Sequence, residues 1–198
     1  MESIPVDNIE RLTTVHPLIT KRRSLRAYDP TKEVSDADLH SLFEAARWAP
    51  SAFNEQPWRF IYARRGSEAY QKLLDSIVPA NQVWAINAPV LMLVLVKLNS
   101  SHNDHFNRHA MHDLGLAMGN LGLQATSLGL NLHQMGGFMQ KQAEEAFAVP
   151  AGYEAVTVTS IGYTGPTDVL SEILLQRENA PRVRKDLSEI AFENQWKP

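Results

Sequence analysis

The segment Lys21-Arg22-Arg23-Ser24-Leu25-Arg26 concentrates positive charge and a hydroxyl in a chain whose 19 lysines and arginines are outnumbered by 22 aspartates and glutamates. Forked guanidinium donors next to a serine can surround a terminal phosphomonoester. A nucleic-acid backbone would need a wide basic face, and a formal net charge of −3 argues against one. A solvated helix end, where positive charge offsets the macrodipole, would use the same residues.

A second group lies in Ala49-Pro50-Ser51-Ala52-Phe53-Asn54-Glu55-Gln56-Pro57-Trp58-Arg59-Phe60. Two prolines stiffen this loop, and Ser51, Asn54 and Gln56 are short polar side chains suited to reading the edge of a planar heterocycle or the hydroxyls of a sugar-like chain. Pro and Asn are also ordinary loop residues. Glu55 reads as a surface carboxylate rather than an acid catalyst. The third group is Met135-Gly136-Gly137-Phe138, between a strand and a helix. Two glycines there let backbone N–H groups approach a ligand beside a helix N-terminus, and a tight strand-to-helix turn would use the same residues.

Elements that could position these groups follow from periodicity. Ser35 reads as an N-cap with Asp38 three residues on, followed by Leu39, Leu42, Phe43 and Ala46 at helical spacing up to Pro50. Trp58 to Ala63 reads as a strand, and Tyr70, Leu73, Leu74 and Ile77 share a helix face. Val90 to Val96 is apolar without alternation, as expected of a strand buried on both faces. One long helix is expected from His105 to about Leu128, with Gly129 as its stop and Gly115, Gly119 and Gly122 inside it. Interior glycines destabilise a helix, so their presence points to close approach by another helix or a ligand. Strands at Asn131 to Met135 and Ala155 to Ile161 flank a helix from about Met139 to Phe147, and a polar tail runs from Thr164 to Pro198.

The 198 residues suit one domain, and 44% hydrophobic with 21% charged residues argues against disorder. Absence of cysteine excludes disulfides and thiolate chemistry. The start carries no signal-peptide pattern, and the apolar run Pro89 to Val96 is far short of the roughly 20 residues that span a bilayer. A cytoplasmic domain is the expectation, with neither a membrane nor a nucleic-acid partner.

The joint order of R-R-S-x-R, A-P-S-x-x-N-x-Q-P-W, a G-G turn after the long helix and R-x-R in the tail resembles the FMN-dependent nitroreductase family, from about Leu18 to Leu187. The resemblance implies an α+β fold over residues 1–198: a three-layer sandwich with a mixed central sheet covered by helices. It also implies a long central helix at a homodimer interface, with the tail from about 164 wrapping the partner.

By that resemblance Arg22, Arg23, Ser24 and Arg26 hold the FMN phosphate, ribityl chain and pyrimidine edge, and Arg182 and Arg184 close over the phosphate. Three or four charge-assisted hydrogen bonds contribute roughly 5–12 kcal/mol before ordering costs, against about 8 for micromolar binding. Pro50, Ser51, Ala52 and Asn54 match the segment contributed by the partner subunit. Asn81 stands where the family bonds the pyrimidine ring, whereas Trp84 replaces a lysine found in some members, so that contact is not carried over. Met135, Gly136 and Gly137 match the turn whose backbone faces flavin N5 and O4 and stabilises the anionic reduced ring. The implied activity is ping-pong: hydride from NADH or NADPH to flavin N5, then reduction of a small nitroaromatic, quinone or related conjugated acceptor. No ionisable side chain is assigned as general acid or base. A specialised enal, semialdehyde or dehalogenating flavin enzyme and a non-catalytic flavin-binding protein are the alternatives.

One stretch departs from the family pattern. Many members insert a helical segment before the long helix, where here about a dozen residues, Lys97 to Arg108, fill the space. It holds His102 and His105, and His109 and His112 follow. On a continuous helix the four would share an arc of roughly 80°. Zinc, with Asp104 or Asp113 nearby, is a minority reading of that cluster. A polar face near the substrate entrance or an exposed helix end is favoured.

Overall fold

The computed structural model describes residues 15–196. Its strands are β1 (Trp58–Arg64), β2 (Val90–Lys97), β3 (Leu130–Met135) and β4 (Tyr153–Tyr163), and its helices are α1 (Pro17–Lys21), α2 (Asp36–Arg47), α3 (Glu68–Ser76), α4 (Pro79–Ala85), α5 (Ala110–Ser127), α6 (Gln140–Ala146) and α7 (Glu172–Asn179).

The strands form one sheet in the order β1-β2-β4-β3. Leu91, Leu93 and Leu95 of β2 feed one apolar cluster, with α3, α4, α6 and α7, whereas Val90, Met92, Val94 and Val96 feed the other, with α2 and α5. A strand with helices on both faces has no polar side, so its run is continuous rather than alternating. Burying each such side chain contributes about 1.5–3 kcal/mol. The result is the expected α+β three-layer sandwich.

The sheet is antiparallel at every described pairing rather than mixed. β2 and β3 do run parallel, joined through α5, but β4 inserts between them and opposes both. No two hydrogen-bonded neighbours are therefore parallel.

Caps set the helix starts. Ser35 Oγ accepts the Asp38 N–H at 3.0 Å and Ser67 Oγ accepts that of Tyr70 at 3.1 Å. Gly129, at φ 71°, stops the chain beyond α5 as expected. The α5 helix starts at Ala110, five residues later than the expected His105. The Asn103 and Asn107 side chains accept the His105 and His109 N–H groups at 3.1 and 3.0 Å, and Asp104 takes φ 58°. Short polar side chains here satisfy the backbone in a turn and so compete with helix.

The polar tail begins by folding onto its own chain. Leu170 and the α7 residue Leu174 join the core, whereas Val183, Leu187, Ile190 and Trp196 stay exposed. Among the described residues no helix is long and apolar enough to cross a membrane.

Candidate cofactor site

The basic segment leaves α1 in extended conformation and is laid beside the end of β4. Gly165 N–H donates to the Ala27 carbonyl at 2.9 Å, and a Cβ on Gly165 would lie 2.4 Å from Tyr28 backbone atoms, so only glycine permits this approach. Glu178 of α7 fixes the segment from the other side. Its Oε1 accepts the Arg26 and Ala27 N–H groups at 2.7 and 3.3 Å, its Oε2 accepts from the Arg26 guanidinium at 3.3 Å, and its carbonyl accepts from Arg23 at 2.7 Å.

Arg182 donates to the carbonyls of Thr20 and Arg22, at 2.5 and 3.1 Å, bringing the tail's first arginine to the basic run. Arg22 itself packs its stem against α5, where a Cβ on Gly122 would lie 3.6 Å from Arg22 Cδ. Its guanidinium donates to Ser24 Oγ at 3.3 Å. Burial, and then the charge of Arg184, hold Arg22 below its usual range. Two guanidiniums close enough for their charges to repel make this region electropositive and suited to an anion. Arg22, Arg23, Ser24, Arg26, Arg182 and Arg184 thus gather in one place, although Arg23 and Arg26 are already partly engaged by Glu178.

The glycine turn follows β3. Gly137 carbonyl accepts the Val78 N–H at 3.1 Å, tying the turn to the start of α4. A Cβ on Gly137 would meet Val78 Cγ2 at 3.0 Å and Asn81 Nδ2 at 3.2 Å. Gly137 and Asn81, more than fifty positions apart, are thereby brought together. The Gly136 and Gly137 N–H groups donate to no described residue. The Met135 side chain is buried in the core, so only its backbone is available to a ligand.

The proline-flanked loop is strained. Phe53, Asn54 and Gln56 take φ of 51°, 56° and 47°, a region that costs an L-residue about 1–3 kcal/mol each. Ser51 Oγ accepts the Gln56 N–H at 3.0 Å and buried Asp113 accepts that of Ala52 at 3.0 Å. Glu55 is not a surface carboxylate. Its side chain is 4% exposed and accepts Ser100 Oγ at 2.6 Å and the Ser101 N–H at 2.8 Å, which draw its pKa down to about 2.

Asp113 and Gly122, the contact points of the loop and of Arg22 on α5, are nine residues apart, hence about 14 Å in rise and about 180° around the helix. The loop bearing Pro50, Ser51, Ala52 and Asn54 therefore sits on the opposite side of α5 from the arginines, and the fold does not unite the two sets within one chain.

His102, His105 and His109 precede α5, so the four histidines share no helix face, and no group of three metal-ligand side chains occurs among the described residues. Trp84 is buried and packs against His133 with the rings tilted and their centroids 4.6 Å apart, and its Nε1 has no partner among the described residues. Burial holds His133 below its usual range, and as the neutral imidazole its Nδ1–H donates to the Leu25 carbonyl at 3.1 Å. Glu178 escapes sequence reading because one glutamate in a polar helix carries no signal. Asp113 was detectable as a carboxylate within the apolar stripe of α5.

The family model described as Nitroreductase family matches residues 19–82 and 76–163. The chain belongs to the nitroreductase family. A crystal structure of an oxidoreductase containing FMN superposes on this family member with a TM-score of 0.89 at 34% identity, covering 93% of this chain and 94% of that one. The major NAD(P)H-flavin oxidoreductase of Aliivibrio fischeri is 40% identical over 70 residues, or 34% of this chain and 32% of that protein. A Streptomyces coelicolor relative is 36% identical over 98 residues, matched over 49% of this chain. The nitroreductase-family chain spans 44% of the length of that relative.

Proposed function

We propose that this chain is an FMN-dependent NAD(P)H oxidoreductase that reduces a small conjugated acceptor, a nitroaromatic or quinone, as a homodimer with two sites. The observation that carries this reading is the gathering of Arg22, Ser24, Arg182 and Arg184 at the basic segment, together with Gly136 and Gly137 N–H groups that donate to no described residue.

The donor set fits FMN. The guanidiniums of Arg22 and Arg184, with Ser24, would hold its phosphate. Arg182 braces the backbone that carries them, and Arg23 and Arg26, anchored by Glu178, would border the ribityl chain and ring edge. Asn81 would bond the pyrimidine, and the Gly136 and Gly137 N–H groups would stabilise negative charge on the ring as it is reduced. When bound, FMN supplies the hydride-transfer chemistry. In this reading nicotinamide and acceptor take turns in one cleft, which fits a sequence without a G-x-G-x-x-G turn.

A second copy completes the site in this reading. Met111, Leu116 and the exposed Gly115 and Gly119 form an unpartnered apolar and small-residue strip on α5, and a Cβ at either glycine meets nothing within 4 Å. Docking two such strips would bring Pro50, Ser51, Ala52 and Asn54 of one copy toward the arginines of the other. The exposed tail residues Val183, Leu187, Ile190 and Trp196 would wrap the partner.

The absorption spectrum of the purified protein, followed by mixing with NADH or NADPH, tests the proposal. Bound oxidised flavin that either nucleotide bleaches is the expected result. A colourless protein that FMN does not reconstitute overturns it, and flavin that neither nucleotide bleaches reduces it to a flavin-binding role. Arg22→Ala and Arg184→Ala should each weaken FMN binding about tenfold or more, read by fluorescence titration of the apoprotein.

A further inference from the structure

The segment before α5 builds a cavity of about 380 Å³ with the Ala52-Phe53 edge of the strained loop. Its walls differ in chemistry. Phe53 and Phe106, 88% and 71% exposed, present two phenyl rings, and His102 meets Phe53 edge-on with centroids 6.5 Å apart. Arg108, His105, His109, Asn103 and Asn107 supply guanidinium, imidazole and amide groups.

The cavity's acid is Glu55, and its oxygens are already occupied by Ser100 and Ser101, with His102 Nε2 at 3.7 Å. The Arg108 Nε–H donates to His109 Nε2 at 3.3 Å, while its terminal N–H groups donate to no described residue. The pocket therefore combines phenyl surface and an available guanidinium with a carboxylate whose oxygens Ser100 and Ser101 engage.

We infer that this cavity selects aromatic acceptors bearing an anionic substituent: Phe53 and Phe106 flank the acceptor ring and Arg108, with the neighbouring imidazoles, binds the anion. Guanidinium forks match carboxylate and phosphate oxygens, and aromatic faces take a planar ring. The inference deepens the proposed oxidoreductase function and rests on it, since Ala52 belongs to the segment assigned there to the second copy's flavin. It names a substrate class and a selecting residue for that site.

The test compares NAD(P)H-driven reduction of 4-nitrobenzoate and 4-nitrophenyl phosphate with that of neutral 4-nitrobenzamide by the FMN-loaded protein. At least one anion should be preferred about tenfold in kcat/KM, through KM, and the preference should collapse in Arg108→Gln and partly return in Arg108→Lys. Which anion is favoured separates carboxylate from phosphate recognition. Independently of turnover, benzoate or phenyl phosphate should shift the imidazole C–H resonances of His105 and His109 saturably in the wild type and not in Arg108→Gln, with benzamide silent.

Equal kcat/KM for all three acceptors, or no saturable shift with either anion, overturns the inference while leaving the flavin reading intact. A protein that retains no flavin overturns that reading instead, and the resonance titration still decides whether the cavity binds anionic aromatics.

Discussion

The buried Asp113 carboxylate accepts the Ala52 N–H at 3.0 Å and so pins a loop with three left-handed residues to the first turns of α5. Its other oxygen lies 3.2 Å from His112 Nδ1. One acidic side chain in an apolar stripe thereby holds the loop proposed to reach the second copy. Asp113→Ala strands the Ala52 donor and should cost about 1–3 kcal/mol in urea denaturation. Faster amide exchange at residues 51–56 should accompany it. An unchanged midpoint and unchanged exchange would count against this anchoring.

Glu178 has the same role for the arginine segment, across a sequence separation of 152 residues to Arg26. Glu178→Ala leaves two backbone donors and one guanidinium without their acceptor and should destabilise the fold by about 3 kcal/mol. Glu178→Gln keeps one acceptor oxygen and should lose less. Chemical denaturation of both variants, with FMN titration alongside, ranks them; equal losses would assign the effect to packing instead of to hydrogen bonding.

The two glycines of the turn should respond differently to a methyl group. At Gly137 it would press on Val78 and Asn81 at 3.0 and 3.2 Å, whereas at Gly136 nothing lies within 4 Å. Gly137→Ala is expected to cost about 1–3 kcal/mol of stability and to weaken FMN binding by moving Asn81. Gly136→Ala should stay within about 0.5 kcal/mol. Thermal denaturation and FMN titration of the pair measure both effects.

Glu55 should contribute to acid sensitivity. Hydrogen bonds from Ser100 and Ser101 hold its folded-state pKa at about 2, below the ordinary 4.5, so the unfolded chain binds the proton first as pH falls. Its stabilisation is complete above about pH 4.5 and is lost as pH drops toward 2. Denaturation midpoints across this window should fall more steeply for the wild type than for Glu55→Gln. Parallel slopes would remove Glu55 as a contributor.

Much of the fold is legible in the residues alone. Ser35, the unbroken apolar run of β2 and Gly129 report a cap, a doubly covered strand and a helix stop because each signal is local, depending on dihedral preference and side-chain period within about ten residues. The run Arg22-Arg23-Ser24-Leu25-Arg26 likewise admits a phosphate site, whereas the roles of Gly136, Gly137 and Arg184 follow only from the family resemblance. Tertiary structure decided what local preference does not encode. The insertion of β4 between β2 and β3 makes the sheet antiparallel. Glu178 and Asp113 became anchors only when the chain path brought distant N–H groups to them. Placement of the loop and the arginines on opposite sides of α5 is likewise a property of packing, since helix phase relates two contacts only after each partner has docked.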